Sequence, residues 1–134
     1  MPTNIGVLCS GEGREMAALM EAAAAGRLPA EIKIVITDRD GPALNMARTA
    51  GLQAAFIPRS AFHANRDGFE RRLVDLLSQA GAEVLVLAGF IREVGPVLAE
   101  AFPGRIFGQD LEPDELVADL EQKLRSSLFS LITD

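Results

Sequence analysis

The stretch IGVLCSGEGRE, residues 5–15, decides the fold, because it changes from a strand pattern to a helix pattern within a few residues. The apolar run Ile5–Leu8 has the length of a strand, and a helical pattern opens directly after Gly11 and Gly13. In such a turn the first N–H groups of the helix point at the loop, and glycines let a ligand approach the backbone. The third glycine of the dinucleotide fingerprint would fall at Met16 and is absent. The pattern therefore fits both an anion site and a tight turn that holds no ligand.

Strand and helix patterns alternate along the rest of the chain. Runs typical of strands follow at Ile32–Thr37, Ala54–Ile57, Val84–Ala88 and Gly104–Gly108. Helical patterns cover Arg14–Ala25, Pro42–Ala50, Arg66–Ala80 and Gly95–Phe102, and a last helix starts near Pro113 with a stripe at Leu116, Leu120, Leu124 and Leu128. The mixed segment Ser60–Asn65 is predicted to be a loop. This alternation predicts an α/β fold with one doubly wound parallel sheet.

The location of a site follows from that topology. Ligands of open α/β sheets bind at the carboxyl ends of the strands. The turn Ser10–Arg14 and the segment Gly89–Val94 follow the first and fourth strands. We therefore predict that they share one mouth of a single domain, residues 1–134.

Composition limits the classes of function. A net charge of -6 argues against a nucleic-acid binder, which needs a basic face. The single cysteine, Cys9, excludes an internal disulfide and fits a reducing compartment, so we expect a cytoplasmic protein. Cys9 itself is predicted to be a small core residue. No stretch is long and apolar enough to span a membrane, so we expect no interaction with a membrane. No signal-peptide pattern precedes Ile5. No residues have metal-ligand spacing, and His63 is predicted to lie on the surface.

An ordered series of motifs resembles the N-terminal half of the glycinamide ribonucleotide formyltransferase family, over about residues 4–106. That family opens with a strand, Ser-Gly-x-Gly-Ser-Asn and a helix, where this chain has Ser10–Glu15. The family's fourth strand ends Leu-Ala-Gly-Phe-Met-Arg, where this chain has Leu87–Arg92, and its next Gly-Arg matches Gly104 and Arg105. Together with the alternating pattern, the resemblance predicts a Rossmann-like three-layer sandwich with a parallel sheet of about five strands in the order 3-2-1-4-5.

The resemblance implies two binding regions. The substrate phosphate would lie against Gly11, Gly13, Arg14 and Glu15. The folate pocket would be lined by Arg66, Phe90, Ile91, Arg92 and Val94. Arg14 and Glu15 replace the Ser-Asn pair of the family. Arginine pairs well with a phosphate whereas a carboxylate repels it, so we expect weak binding of a small phosphate-bearing ligand.

The chain departs from the family after Arg105. The family supplies an Asn, a His and, further on, an Asp, which polarise the formyl group and handle the proton. Gly108 stands at the position of the Asn and Asp110 at that of the His, and the Asp has no counterpart. We therefore assign no catalytic residue and no required cofactor, and 10-formyltetrahydrofolate is implied by the resemblance alone. The prediction is a shortened, inactive formyltransferase-like domain, either natural or an engineered fragment or chimera joined near Gly104–Gly108.

Two alternatives remain open at the level of the sequence. The stretch RIFGQDLEPDELVADLEQKL, residues 105–124, also resembles the last strand and helix of flavodoxin-like cobalamin-binding domains. The chain would then be a small-molecule module of Rossmann or flavodoxin-like type that binds a phosphate or nucleotide. In the second alternative the domain is purely structural, and the glycine turn is only a turn.

Overall fold

The computed structural model describes residues 2–10, 12–90 and 93–126. The strands are β1 (Thr3–Cys9), β2 (Ala30–Thr37), β3 (Ala54–Phe56), β4 (Val84–Leu87) and β5 (Ile106–Phe107). The helices are α1 (Arg14–Ala24), α2 (Pro42–Thr49), α3 (Arg59–Ala64), α4 (Arg66–Gln79), α5 (Pro96–Ala101) and α6 (Pro113–Arg125). Most of these elements agree with the predicted bounds to within two residues at each end.

The five strands are all parallel and form one sheet in the order β3-β2-β1-β4-β5, which confirms the predicted topology. β1 lies at the centre and pairs with β2 along its whole length. On its other side it pairs with β4, from Ile5 opposite Val84 to Leu8 opposite Leu87. The strand order reverses between β1 and β4, where ligand sites form in sheets of this kind.

Helices cover both faces of the sheet, because successive side chains of a strand point to opposite sides. Ile5, Val7 and Cys9 pack with α1, α2 and α6, whereas Leu8 packs with α4 and α5. Gly6 faces α4, and a Cβ atom there would overlap the side chain of the fully buried Leu77. The missing side chain at position 6 therefore lets α4 lie close to the central strand. No helix among the described residues is long and apolar enough to cross a bilayer.

The prediction that Ser60–Asn65 forms a loop is wrong, because most of this segment belongs to the short helix α3. A helix of six residues is too short to show an apolar stripe at helical spacing, so its pattern gives no signal. His63 lies on this helix rather than in a loop, and its side chain is exposed as predicted. Asn65 ends α3 and caps α4, since its side-chain oxygen accepts a hydrogen bond of 3.0 Å from Gly68 N.

Helix α6 packs along α1 and completes one face of the core. The predicted stripe is buried at Leu116, Leu120 and Leu124, and Leu128 lies outside the described residues. A capping box formed by Glu112 and Glu115 starts the helix. β5 is shorter than predicted, since the backbone leaves the sheet at Gly108 and enters the turn before α6.

Candidate functional site

The carboxyl ends of β1, β4 and β5 surround a shallow cleft of about 420 Å³ at the reversal of the strand order. Its described lining residues are Glu15, Gly89, Phe90, Asp110, Leu111 and Glu112. Glu15 at the start of α1 lies directly over Gly89, because a Cβ atom at position 89 would be 2.9 Å from Glu15 Oε2. The structure thus brings together the turns that follow the first and fourth strands.

The glycine turn has a structural explanation that needs no ligand. Gly13 precedes α1 in a left-handed conformation with φ of 92°, which favours glycine. A Cβ atom there would lie 3.2 Å from Ala43 Cα, so a side chain would press against the backbone of α2. Gly11, the other glycine of the predicted phosphate turn, lies outside the described residues.

Negative charge dominates the cleft. Among its described lining residues, Glu15, Asp110 and Glu112 carry carboxylates and none is basic. Arg14 stands beside the cleft, and its Nη2 atom lies 3.7 Å from Glu112 Oε2, with both side chains about 70% exposed. An exposed ion pair of this kind contributes little to stability. The field of the three carboxylates opposes the approach of a phosphate.

The positions that depart from the family form a tight turn between β5 and α6. Leu111 N donates to Gly108 O at 3.3 Å, and both Gly108 and Asp110 are left-handed, with φ of 94° and 61°. A Cβ atom at position 108 would overlap Leu116 and lie 2.9 Å from Leu87 O. The backbone therefore leaves no room for a side chain where the resemblance implies an Asn, and Asp110 is exposed where it implies a His.

The described part of the predicted folate-side segment is held by the core and by helix α4. Phe90 is buried and Val94 half-buried against the α4–α5 core, while Ile91 and Arg92 lie outside the described residues. Arg66, predicted to face the ligand, donates from Nη2 to the main-chain oxygen of Glu93 at 2.9 Å. The arginine therefore holds the backbone of this segment in place.

Glu70 on α4, which was not among the predicted site residues, is only 2% exposed. Its two carboxyl oxygens accept hydrogen bonds from Gly95 N at 2.5 Å and Leu98 N at 2.9 Å, at the start of α5. The signal was present, since Glu70, Leu73 and Leu77 have the i, i+3, i+7 spacing of a buried stripe. A charged residue in such a stripe indicates a carboxylate with buried partners.

Cys9 is a core residue, as predicted. Its side chain is fully buried at the end of β1, and Sγ lies 3.8 Å from the main-chain oxygen of Ile36, to which the thiol donates. Burial, above all, raises the pKa of the thiol from its ordinary value of 9.0 to about 12. The reactive thiolate is therefore disfavoured, which argues against a nucleophile. Within residues 2–10, 12–90 and 93–126, no group of three His, Cys, Asp or Glu side chains is placed to hold a metal ion.

The raised pKa of Cys9 predicts a loss of stability in alkali. The folded-state pKa of about 12 lies above the ordinary value of 9.0. The contribution of the thiol is therefore complete below pH 9 and is lost as the pH rises toward 12. Between pH 8 and pH 11 the wild type should lose about 2–3 kcal/mol of unfolding free energy more than Cys9→Ser, which does not titrate there. Urea unfolding of both proteins at both pH values checks this, and parallel pH profiles would contradict it.

Comparisons with known proteins agree on one family. A family model described as formyl transferase matches residues 3–108. The phosphoribosylglycinamide formyltransferase of Escherichia coli strain K12 is 31% identical over 104 residues, which are 77% of this chain and 49% of that protein. The protein of the same name from Mycobacterium tuberculosis strain H37Rv is 33% identical over 104 residues, 78% of this chain and 47% of that protein.

Solved structures give the same result. Glycinamide ribonucleotide transformylase 1 from Symbiobacterium toebii superimposes with a TM-score of 0.73 and 36% identity, over 78% of this chain and 50% of that one. A formyltetrahydrofolate deformylase from Burkholderia mallei has a TM-score of 0.69 at 19% identity, over 79% of this chain and 37% of that one, which is a likeness of fold alone. The chain spans about half the length of the curated relatives from bacteria that it matches.

Proposed function

The chain belongs to the formyl transferase family, and on that premise we propose that it is a formyltransferase-like domain that binds a reduced folate but does not transfer its formyl group. The observation that carries the proposal is the turn at Gly108. Its left-handed backbone and its contacts with Leu116 and Leu87 leave no room for the Asn that the resemblance implies. Asp110 offers a carboxylate where an imidazole would serve as acid and base.

The folate part of the proposal rests on the segment after β4. Phe90 lines the cleft and is at the same time fixed in the core, so its position is largely preformed. Arg66 and Glu70 hold the backbone that follows it. The alternative of a phosphate or nucleotide module is less favoured, because the described lining of the cleft carries three carboxylates and no basic side chain.

Formyl transfer from 10-formyltetrahydrofolate to glycinamide ribonucleotide tests the inactive state. We expect no turnover above the reaction without protein, because the position next to the formyl group would lack both a polarising amide and an imidazole. A full-length formyltransferase of the family, assayed in parallel, verifies the reagents. Turnover well above background by this chain would overturn the proposal.

Calorimetric titration with 5-formyltetrahydrofolate, a stable reduced folate, tests binding. Heat of binding that saturates at one ligand per chain supports the proposal, and its absence rejects the folate part.

Phosphate, titrated at low salt, is expected to bind with a dissociation constant on the order of millimolar or weaker. The double variant Arg14→Ser, Glu15→Asn removes one charge of each sign. It should strengthen phosphate binding if backbone N–H groups are the main contact, and weaken it if Arg14 is. A micromolar constant for phosphate with the wild type would contradict this expectation.

A further inference from the structure

A buried carboxyl group links helix α4 to the segment that leads into α5. Glu70 is 2% exposed, and its two oxygens accept from two different main-chain N–H groups, Gly95 at 2.5 Å and Leu98 at 2.9 Å. A carboxyl group is costly to bury unless hydrogen bonds replace its water. Here both oxygens have such partners, so the position is specific for a group with two acceptors.

Arg66 extends this link to the segment itself. It lies one turn before Glu70 on α4, with Nε 3.9 Å from Glu70 Oε2, and its Nη2 donates to Glu93 O at 2.9 Å. Gly95 completes the arrangement, since a Cβ atom there would lie 2.8 Å from Glu70 Oε2 and 3.0 Å from Arg66 Nε. The absence of a side chain at position 95 thus allows the carboxyl group to reach the backbone.

We propose that Glu70 is a positioning residue for ligand binding, which acts by fixing the backbone of Glu93–Gly95. This segment follows Phe90, which lines the cleft, and includes Val94, which packs on the same core as Glu70's helix. The inference rests on the proposed folate binding. Glu70 itself is buried, so it acts on a ligand through the main chain rather than by contact.

Glu70→Gln is the decisive variant. It keeps the shape of the side chain but has one acceptor oxygen, so its NH₂ group must face one of the two N–H donors. We expect faster hydrogen exchange at the amides of Gly95 and Leu98, with unchanged exchange in β1. Loss of a charge-assisted buried hydrogen bond should raise the dissociation constant for 5-formyltetrahydrofolate about tenfold or more. Asp75→Asn, the same kind of change at an exposed position of α4, is the control and should alter neither.

The outcomes separate the two proposals. If the wild type binds 5-formyltetrahydrofolate and Glu70→Gln loses protection at Gly95 but binds equally well, Glu70 has a structural role only and this inference is overturned. If the wild type does not bind, the proposed function fails and the inference fails with it. Should Glu70→Gln not fold, Glu70→Asp decides, because its carboxylate is one methylene too short to reach both amides. Binding by Glu70→Asp as tight as the wild type's would overturn the inference.

Discussion

Alanine at Gly108 is expected to lower the urea midpoint of unfolding far more than alanine at Gly81. Both glycines are left-handed, with φ of 94° and 79°, which costs an L-residue about 1–2 kcal/mol. Only Gly108 is crowded as well, by Leu116 and by the Leu87 carbonyl oxygen, and overpacking of this kind adds about 1–3 kcal/mol. Gly108→Ala should therefore cost about 2–5 kcal/mol of unfolding free energy.

Gly81→Ala is the matched control, because no atom lies within 4 Å of a Cβ placed there. Its cost measures the backbone conformation alone, and the difference between the two variants measures the crowding. Equal midpoints would mean that α6 moves aside at little cost. In that case an Asn would also fit at position 108, and the crowding there would no longer support the proposal that the domain is inactive.

Leu120→Ala is expected to have a comparable effect at the middle of α6. Leu120 is fully buried between Leu116 and Leu124, in the cluster that α6 forms with α1 and the sheet. A buried Leu→Ala change costs about 2–5 kcal/mol, from lost burial and the cavity left behind. A domain of this size has only about 5–15 kcal/mol of stability, so the urea midpoint should fall clearly.

Gln122→Ala, at an exposed position of the same helix, provides the comparison for Leu120→Ala. It should change the unfolding free energy by no more than about 0.5 kcal/mol. If the two alanine variants unfold at the same urea concentration, α6 is not docked on α1 in solution. The hydrogen bond from Arg125 Nη2 to Arg27 O would then also be absent.

Much of the fold was predictable because the strongest signals are local. The apolar strand at Val84, the glycine turn after Cys9 and the leucine stripe of α6 each identify an element, and their alternation identifies a parallel sheet. The resemblance added the strand order. α3 was missed because a short helix has no stripe, and the importance of Gly6 was missed because it depends on Leu77, which is distant in the sequence.

The site was less predictable, because its properties depend on contacts between distant segments. The topology predicted that the turns after β1 and β4 meet, but it did not predict that Glu15 lies over Gly89. The link from Glu70 to Gly95 spans 25 residues and leaves no local pattern. The left-handed backbone at Gly108 and Asp110 also has no marker beyond the glycine itself. Residue identities suggested where a ligand would lie, whereas the acidity of the cleft required the structure.

The central position of β1 has a consequence for synthesis of the protein. β1 is made before the two strands that flank it, and β2 pairs with it within about thirty residues, at Thr3 opposite Ala30. The other edge of β1 stays unpaired until β4 has been made, because Val84 of β4 pairs with Ile5. Until β4 leaves the ribosome, the central strand of the sheet therefore has one unpaired edge, which invites pairing with other chains. Aggregation during rapid expression, relieved by slower translation or lower temperature, is the behaviour that this topology predicts.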